Sequence, residues 1–343
     1  MMKILVTGGN GFIATNFISL ALEKGHQIIS IDNLCFTNQL NHEYTSFNNE
    51  DFTFLKVDIR NSDIQSLVES HRFDSVLNFA AESHVDKSIH SDKDFISTNI
   101  QGTHNLLSSC QDLLKKNILP KHFKFIQVST DEVYGSLSAS DKTFSEQSKI
   151  NPSNPYSASK ASADLICLSY FKTYKFPVVI TRCSNNYGPY QYPEKLIPLL
   201  LAKLDNNEPL PVYGDGMQIR DWIYVSDHCN GILKALQKGR SGEVYNFGSS
   251  CELTNIECIK KIIRIIYPNE NYENYITNVT DRPGHDRRYG IDASKAINNL
   301  EWTPDYDFDT GLKMTVEWYQ KNAKWTQAQV KSKNYVRWME NQY

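Results

Sequence analysis

Two clusters in the sequence carry residue types that could do proton chemistry. Tyr156 and Lys160 stand four apart in Tyr156-Ser157-Ala158-Ser159-Lys160, a spacing that puts both side chains on one helix face. A free phenol, with a pKa of ~10, is a poor base at neutral pH. A neighbouring ammonium favours the phenolate and makes it usable. The same spacing also arises on ordinary surface helices, so alone it says little. The second cluster is Ser129-Thr130-Asp131-Glu132-Val133-Tyr134-Gly135, where two adjacent carboxylates follow an apolar run. In a solvated loop they would do nothing. Crowded in a partly dry site, they would split in pKa, one neutral and able to donate, its neighbour ionised and able to accept.

A third group would bind rather than react. Gly8-Gly9-Asn10-Gly11-Phe12-Ile13-Ala14 follows an apolar run and opens a helical pattern. It satisfies both the G-x-x-G-x-x-A and the G-x-G-x-x-A spacing. In that context glycines let the backbone approach a pyrophosphate whose charge rests on the helix N-terminus. Asp32 ends the second strand pattern, where a carboxylate can accept from adenosine ribose hydroxyls. No arginine follows closely, so the expected cofactor is NAD rather than NADP. Asn33 adjoins that acid, and Asp58-Ile59 at the end of the third strand should flank the adenine. A glycine turn without a ligand is the alternative, and the strand, helix and terminal acid together argue against it.

The elements that must position these groups alternate. Strand patterns occupy 3–7, 27–32, 52–58, 75–80, 124–130 and 177–183; helical patterns fall near 12–24, 64–70, 94–117 and 155–174. Such alternation predicts an α/β fold with a Rossmann-type doubly wound parallel sheet, binding ligands at the carboxyl ends of its strands. After residue 183 the rhythm breaks, Pro, Gly and Tyr become frequent, and a helix near 256–267 follows no βαβ order. We expect 1–183 to form an NAD-binding domain with return segments near 219–247. Residues 184–218 and 248–343 should form a smaller mixed α/β substrate lobe.

Composition narrows the class. With 343 residues the chain is long enough for two lobes. A net charge of −3 without a long basic run argues against a nucleic-acid surface. No apolar run is long enough to span a membrane, and the sequence enters a strand pattern at once, without a signal-peptide pattern. Seven cysteines without a C-x-x-C pair suggest a reducing, cytoplasmic setting. No metal site is expected.

Longer segments carry a resemblance. They are Ala80-Ala81-Glu82-Ser83-His84-Val85-Asp86, the two clusters above, Arg182 through Pro189, Pro193 through Pro198, Arg220-Asp221-Trp222 and Asp281 through Arg288. Together they resemble the extended short-chain dehydrogenase/reductases, and within them the nucleotide-sugar 4,6-dehydratases, above all those that use dTDP-glucose. The resemblance spans nearly the whole chain, and the Asp-Glu pair separates dehydratases from sister epimerases. It implies that Tyr156 takes the proton of the sugar 4-hydroxyl while hydride passes from C4 to NAD. Glu132 would then remove the C5 proton, Asp131 protonate the departing 6-hydroxyl, and Thr130 bond O4, after which hydride returns to C6. Lys160 would also hold the nicotinamide ribose, and Gly8, Gly11, Phe12, Ile13, Ala80 and Ala81 would contact the cofactor. Asn185, Lys195, Arg220, Asn255, Arg282 and His285 would grip the nucleotide diphosphate, joined by Ser83, Glu194 and Leu196. For the arginines the reason is bidentate bonding to phosphate oxygens; surface ion pairing is their bland alternative. Tyr213 would pack against the base. Asn16, Cys183 and His84 read as structural, and the aromatics of 335–343 as caps on the core.

One segment departs from the pattern. Asn33-Leu34-Cys35-Phe36-Thr37-Asn38-Gln39 stands where relatives show Lys-Leu-Thr-Tyr-Ala-Gly-Asn, and the stretch between Gly135 and Phe144 is short. UDP-glucose or UDP-GlcNAc therefore remain alternative substrates. A 4-epimerase or a UDP-glucuronate decarboxylase is a second alternative, keeping Tyr156 and Lys160 without needing Asp131-Glu132. A non-catalytic NAD-binding regulator is a third. The resemblance also implies a homodimer joined through helices near 98–116 and 155–174.

Overall fold

The computed structural model describes residues 1–35, 47, 50–61, 63–281 and 283–342. Its first half is built from β1 (Lys3–Thr7), β2 (Gln27–Asp32), β3 (Phe52–Lys56), β4 (Ser75–Asn78), β5 (Lys124–Thr130) and β6 (Val178–Cys183). Later come β7 (Asn185–Tyr187), β8 (Leu210–Tyr213), β9 (Ile219–Tyr224), β10 (Val244–Phe247), β11 (Glu252–Thr254) and β12 (Ile276–Val279). The large sheet has seven strands in the order β10-β6-β5-β4-β1-β2-β3, all parallel. It is a Rossmann-type doubly wound sheet. Strand order reverses between β1 and β4, and a crevice opens at that reversal, beyond the strands' carboxyl ends.

Side chains alternate across the sheet. Ile4, Val6, Ile126, Val128 and Val179 face one layer with Phe17 and Ile18 of α1 (Phe12–Glu23). Leu5, Val76, Phe125, Val178 and Ile180 face the other, with Leu106 and Leu107. Burial on both faces explains the unbroken apolar runs of these strands.

Three expected limits shift. β3 stops at Lys56 rather than residue 58, because Asp58 turns its carboxylate onto the Arg60 N–H and the Arg60 guanidinium. β4 stops at Asn78 rather than residue 80: the Ala80 N–H leaves the ladder for Thr7 Oγ1 at 3.3 Å, so the chain peels away and opens the crevice. The helix expected over 94–117 is interrupted by a π-helical segment, Ile96–Gly102, before α-helical geometry resumes at Thr103–Lys115. There Asn99 is buried and bonds Glu82 and Ser159, so its side chain is spent on tertiary contacts. The helices Phe12–Glu23 and Pro155–Tyr174 keep the expected starts.

The second half interleaves. β7, β9 and β11 form a three-stranded sheet, and β8 pairs with β12. Their core gathers Leu200, Trp222, Ile259, Ile262, Leu312 and Trp325. The helix Val225–Lys238 and β10 return to the large sheet, and Trp302 packs there too.

Candidate functional site

A cavity of about 400 Å³ lies at the crevice, and a smaller one of about 30 Å³ adjoins it, sharing Gly8, Ala80 and Ala81. The glycine loop forms one wall. Gly8 has φ +65°, and a Cβ there would stand 2.7 Å from the Ala80 backbone. Only glycine tolerates both the angle and the approach. Gly11 caps α1, whose first turn holds no acid and no side-chain cap, and Gly11, Phe12 and Ile13 at that helix start line the cavity. That cradle fits a pyrophosphate.

The smaller cavity is lined by Asp32, Asn33, Asp58 and Ile59. Asp32 is buried and accepts the Asn10 and Leu34 N–H groups at 3.0 and 2.8 Å, which fixes the loop it ends. Asn33 donates to Asp58 at 3.0 Å. The Arg60 guanidinium beside Asp58 holds that carboxyl down at about 2. An adenosine would meet the Asp32 carboxylate at the tip of β2 and Asp58 and Ile59 beyond the tip of β3, so the residues fit NAD.

The reacting groups come from two elements. β5 delivers Thr130, which caps the short turn Asp131–Tyr134 by accepting the Glu132 N–H at 3.2 Å. This turn keeps Asp131 fully inside and leaves Glu132 half-buried. Burial raises the Asp131 carboxyl well above its ordinary range, with the charges of Glu132 and Asp221 adding to it. Across the cavity, the helix Pro155–Tyr174 starts with an Asn154–Ser157 capping box and Pro155 in its first turn, so the sequence itself dictates that start. Tyr156 and Lys160 are buried on its inner face. Burial, then Glu132, pushes the Tyr156 phenol upward. Burial lowers Lys160, whose ammonium donates to the Val128 carbonyl at 2.7 Å.

The second half closes the cavity. Asn185 comes from β7, Tyr213 from β8, Arg220 from β9, and Asn255 opens the helix Asn255–Ile266. Lys195 donates to the Ser83 carbonyl at 3.1 Å, with Leu196 next to it. Glu194 is buried 3.3 Å from Lys87 and 3.9 Å from His84. Burial alone would raise Glu194, but the positive charges around it, His84 when protonated and then Lys87 and Lys195, outweigh it and hold the carboxyl low. Tyr213 donates to Asp86 at 3.1 Å and meets the His285 ring edge-on. His285 is 2.6 Å from Asp281. Arg220 lies 4.3 Å over the Tyr289 ring and donates to the Ile219 and Asp286 carbonyls. Arg282 lies outside the described residues, as do 36–39 of the departing loop.

Every other residue expected to react or to bind cofactor or substrate lines one of the two cavities, whereas Asn16, read as structural, lines neither. Sequence reasoning missed Asp86, Tyr289 and Thr98, which line them too. Asp86 ends a segment already singled out and Tyr289 directly follows one; Thr98 carried no local signal. His84 and Cys183, read as structural, also stand on the wall. His84 accepts the Lys87 N–H, and burial lowers its pKa to about 4, so it is a neutral acceptor. Tyr335 caps the core as expected, donating to the Pro193 carbonyl.

The family model described as GDP-mannose 4,6 dehydratase matches residues 5–315. A dTDP-glucose 4,6-dehydratase of Xanthomonas campestris pv. campestris is 48% identical over 338 residues, 95% of each chain. Among solved structures, a dTDP-glucose 4,6-dehydratase of Bacillus anthracis in complex with NAD superposes with a TM-score of 0.85 at 44% identity, covering 96% of this chain and 100% of that one. A UDP-glucose 4-epimerase of Thermotoga maritima with UDP-glucose gives 0.84 at 28% identity, covering 94% and 100%.

Proposed function

This chain belongs to the GDP-mannose 4,6-dehydratase family, within the extended short-chain dehydrogenase/reductases, and from that membership we propose that it is an NAD-dependent dTDP-glucose 4,6-dehydratase, a hydro-lyase. The observation that carries the reading is the 48% identity across 95% of both chains. The buried Asp131 beside half-buried Glu132, both on the cavity that holds Tyr156, supports it chemically.

In this reading a bound NAD would supply the hydride chemistry, an acceptor for the C4 hydrogen and a donor toward C6. The chain's own groups do the proton work. Lys160 stands one helical turn after Tyr156 on the same buried face and donates to the Val128 carbonyl, and its positive charge would favour, against the burial that raises the phenol, the phenolate that accepts the 4-hydroxyl proton. Thr130 orients O4. Oxidation at C4 acidifies the C5 proton, which Glu132 removes from its less buried position. Asp131, kept neutral by burial, donates to the departing 6-hydroxyl. Arg220, Lys195, Asn185 and Asn255 bind the diphosphate and nucleoside, with Ser83, Glu194, Leu196 and His285 around them and Tyr213 against the base. Arg282 belongs to the same proposed set. Residues 1–183 carry the cofactor together with a return that begins at Val225 rather than near 219, because β9 pairs with β7 and β11, and the remainder carries the substrate.

The protein is further proposed to be a cytoplasmic homodimer. Leu165 and Tyr174, exposed large hydrophobic residues on the helix expected over 155–174, support that interface; among the described residues no helix is long and apolar enough to cross a membrane. Light scattering at twice the chain mass is the expected result.

Purified protein offered dTDP-glucose, UDP-glucose and UDP-GlcNAc separately tests the reaction. Mass spectrometry should show loss of water fastest from dTDP-glucose, with a 4-keto-6-deoxy product. Inversion at C4 without water loss would instead indicate an epimerase.

A further inference from the structure

Resting on that reading, the end of the substrate that is gripped and the end that reacts are held by different segments. Arg220, for the nucleotide diphosphate, sits on β9, and Tyr156 sits on the helix Pro155–Tyr174. The nucleotide does not itself react. Gripping it speeds the chemistry only where the grip is tied rigidly to the reacting groups.

The segment 284–290 runs between the two. On one side its backbone is stitched to β9. The Ile219 N–H donates to the Arg287 carbonyl at 2.8 Å, and the Tyr289 N–H donates to the Ile219 carbonyl at 3.1 Å. On the other side it passes the start of the Tyr156 helix, where a Cβ at Gly284 would stand 3.4 Å from the Ser153 carbonyl oxygen. His285 and Tyr289 line the large cavity, whereas Asp286 is not among the described residues on that wall. Asp286 is 7% exposed, and both of its carboxylate oxygens are engaged. Oδ1 accepts the Ser153 hydroxyl at 2.6 Å, and Oδ2 accepts the Tyr289 phenol.

Arg220 is held through the same residue in two ways. Its guanidinium donates to the Asp286 carbonyl at 3.1 Å and lies over the Tyr289 ring, whose phenol the Asp286 carboxylate anchors. Ser153 directly precedes Asn154, the cap of the Tyr156 helix. The first amides of that helix have no preceding helical carbonyl to bond. Side chains hold them instead: the Tyr156 N–H donates to Ser88 Oγ at 3.2 Å and the Ser157 N–H to Asn154 Oδ1 at 2.9 Å. This is the part of the helix that opens most easily.

We propose that Asp286 is a positioning residue that carries nucleotide binding to the start of the Tyr156 helix. With Arg220 engaged on the diphosphate, Tyr289 and the Asp286 carboxylate are fixed, and through Ser153 so is the helix start that places Tyr156. A carboxylate that served the fold alone would hold that helix start equally with and without nucleotide.

Two measurements on purified holoenzyme separate these cases, with dTDP as the probe. Calorimetry gives its affinity, and hydrogen–deuterium exchange read by mass spectrometry gives the opening of residues 154–157 with and without it. In the parent, saturating dTDP should slow exchange over 154–157 by about tenfold. Ser153→Ala should keep dTDP affinity within about twofold and lose that slowing. Its kcat on dTDP-glucose should fall about tenfold or more at unchanged KM. Asp286→Ala should lose the slowing and also bind dTDP about tenfold more weakly. No slowing in the parent, undiminished slowing in Ser153→Ala, or parental dTDP affinity in Asp286→Ala would overturn the proposal. If Asp286→Ala does not fold, Tyr289→Phe, which keeps the ring and deletes the phenol, replaces it in the affinity measurement. A parent that binds dTDP but converts no hexose would sink the dehydratase reading alone, because the exchange measurement needs no turnover.

Discussion

Asp131 and Glu132 are adjacent in sequence and chemically alike, yet the turn they sit in separates their environments. Asp131 is buried and driven toward its neutral form, while Glu132 keeps part of its surface open to the cavity. Their substitutions should therefore fail differently. Glu132→Gln should abolish exchange of the C5 proton with deuterated solvent. Asp131→Asn should retain that exchange and slow water loss by about 100- to 10,000-fold, the usual worth of a positioned acid. Mass spectrometry of the product reads both effects, and identical losses would contradict the division of labour. The two residues and their spacing to Tyr156 were legible in the sequence. Their protonation was not, because it depends on what other segments bury against them.

At the scale of elements, a strut ties the acid-base turn to the helix of Tyr156 and Lys160. Arg182 on β6 donates from Nε to Asp164 at 2.9 Å, and its guanidinium carbon lies 4.8 Å from the Tyr134 ring centre. Asp164 follows Lys160 by one helical turn, and Tyr134 ends the turn that begins at Asp131. Both members of the pair are fully buried. Arg182→Met should destabilise the protein by about 3–5 kcal/mol in a denaturant melt, by leaving Asp164 an unpaired buried charge. Combining it with Asp164→Leu should recover much of that loss. The glycine loop makes a second prediction. Gly8→Ala forces a Cβ to within 2.7 Å of the Ala80 backbone at φ +65°. The purified variant should carry much less NAD than the parent, measured as nucleotide released on denaturation. Here the sequence was a good guide: β2 and β5 span the expected residues because their apolar runs reflect burial on both sheet faces. β4 ended early because Thr7 captures the Ala80 N–H, a contact between residues 73 positions apart that no local pattern records.

For the whole molecule, two buried histidines set acid sensitivity. Burial lowers His84 to about 4 and His228 to about 3 from an unfolded value of 6.5. A histidine whose folded pKa is depressed stabilises the fold fully only above its unfolded pKa, where both states are neutral. As pH falls below 6.5 the unfolded chain binds protons that the folded one refuses, and stability drops until the folded values near 4 and 3 are passed. The melting temperature should therefore fall between about pH 7 and about pH 3, and His228→Gln should flatten the slope. A slope unchanged in that variant would assign the acid loss to carboxylates instead.

The sequence by itself determined the parallel sheet, the glycine cradle with Asp32, and the spacing of Tyr156, Lys160, Asp131 and Glu132. Those features are encoded in periodicity and in residues a few positions apart, where chain geometry leaves little choice. Only the tertiary structure decided that Asp86 meets Tyr213, that Arg220 lies over Tyr289, and that Lys195 reaches the Ser83 carbonyl. Those contacts join segments far apart in the chain through short strands with weak periodicity. The same is true of the neutral Asp131 carboxyl: burial is a property of the assembled core, and no run of residues carries it alone.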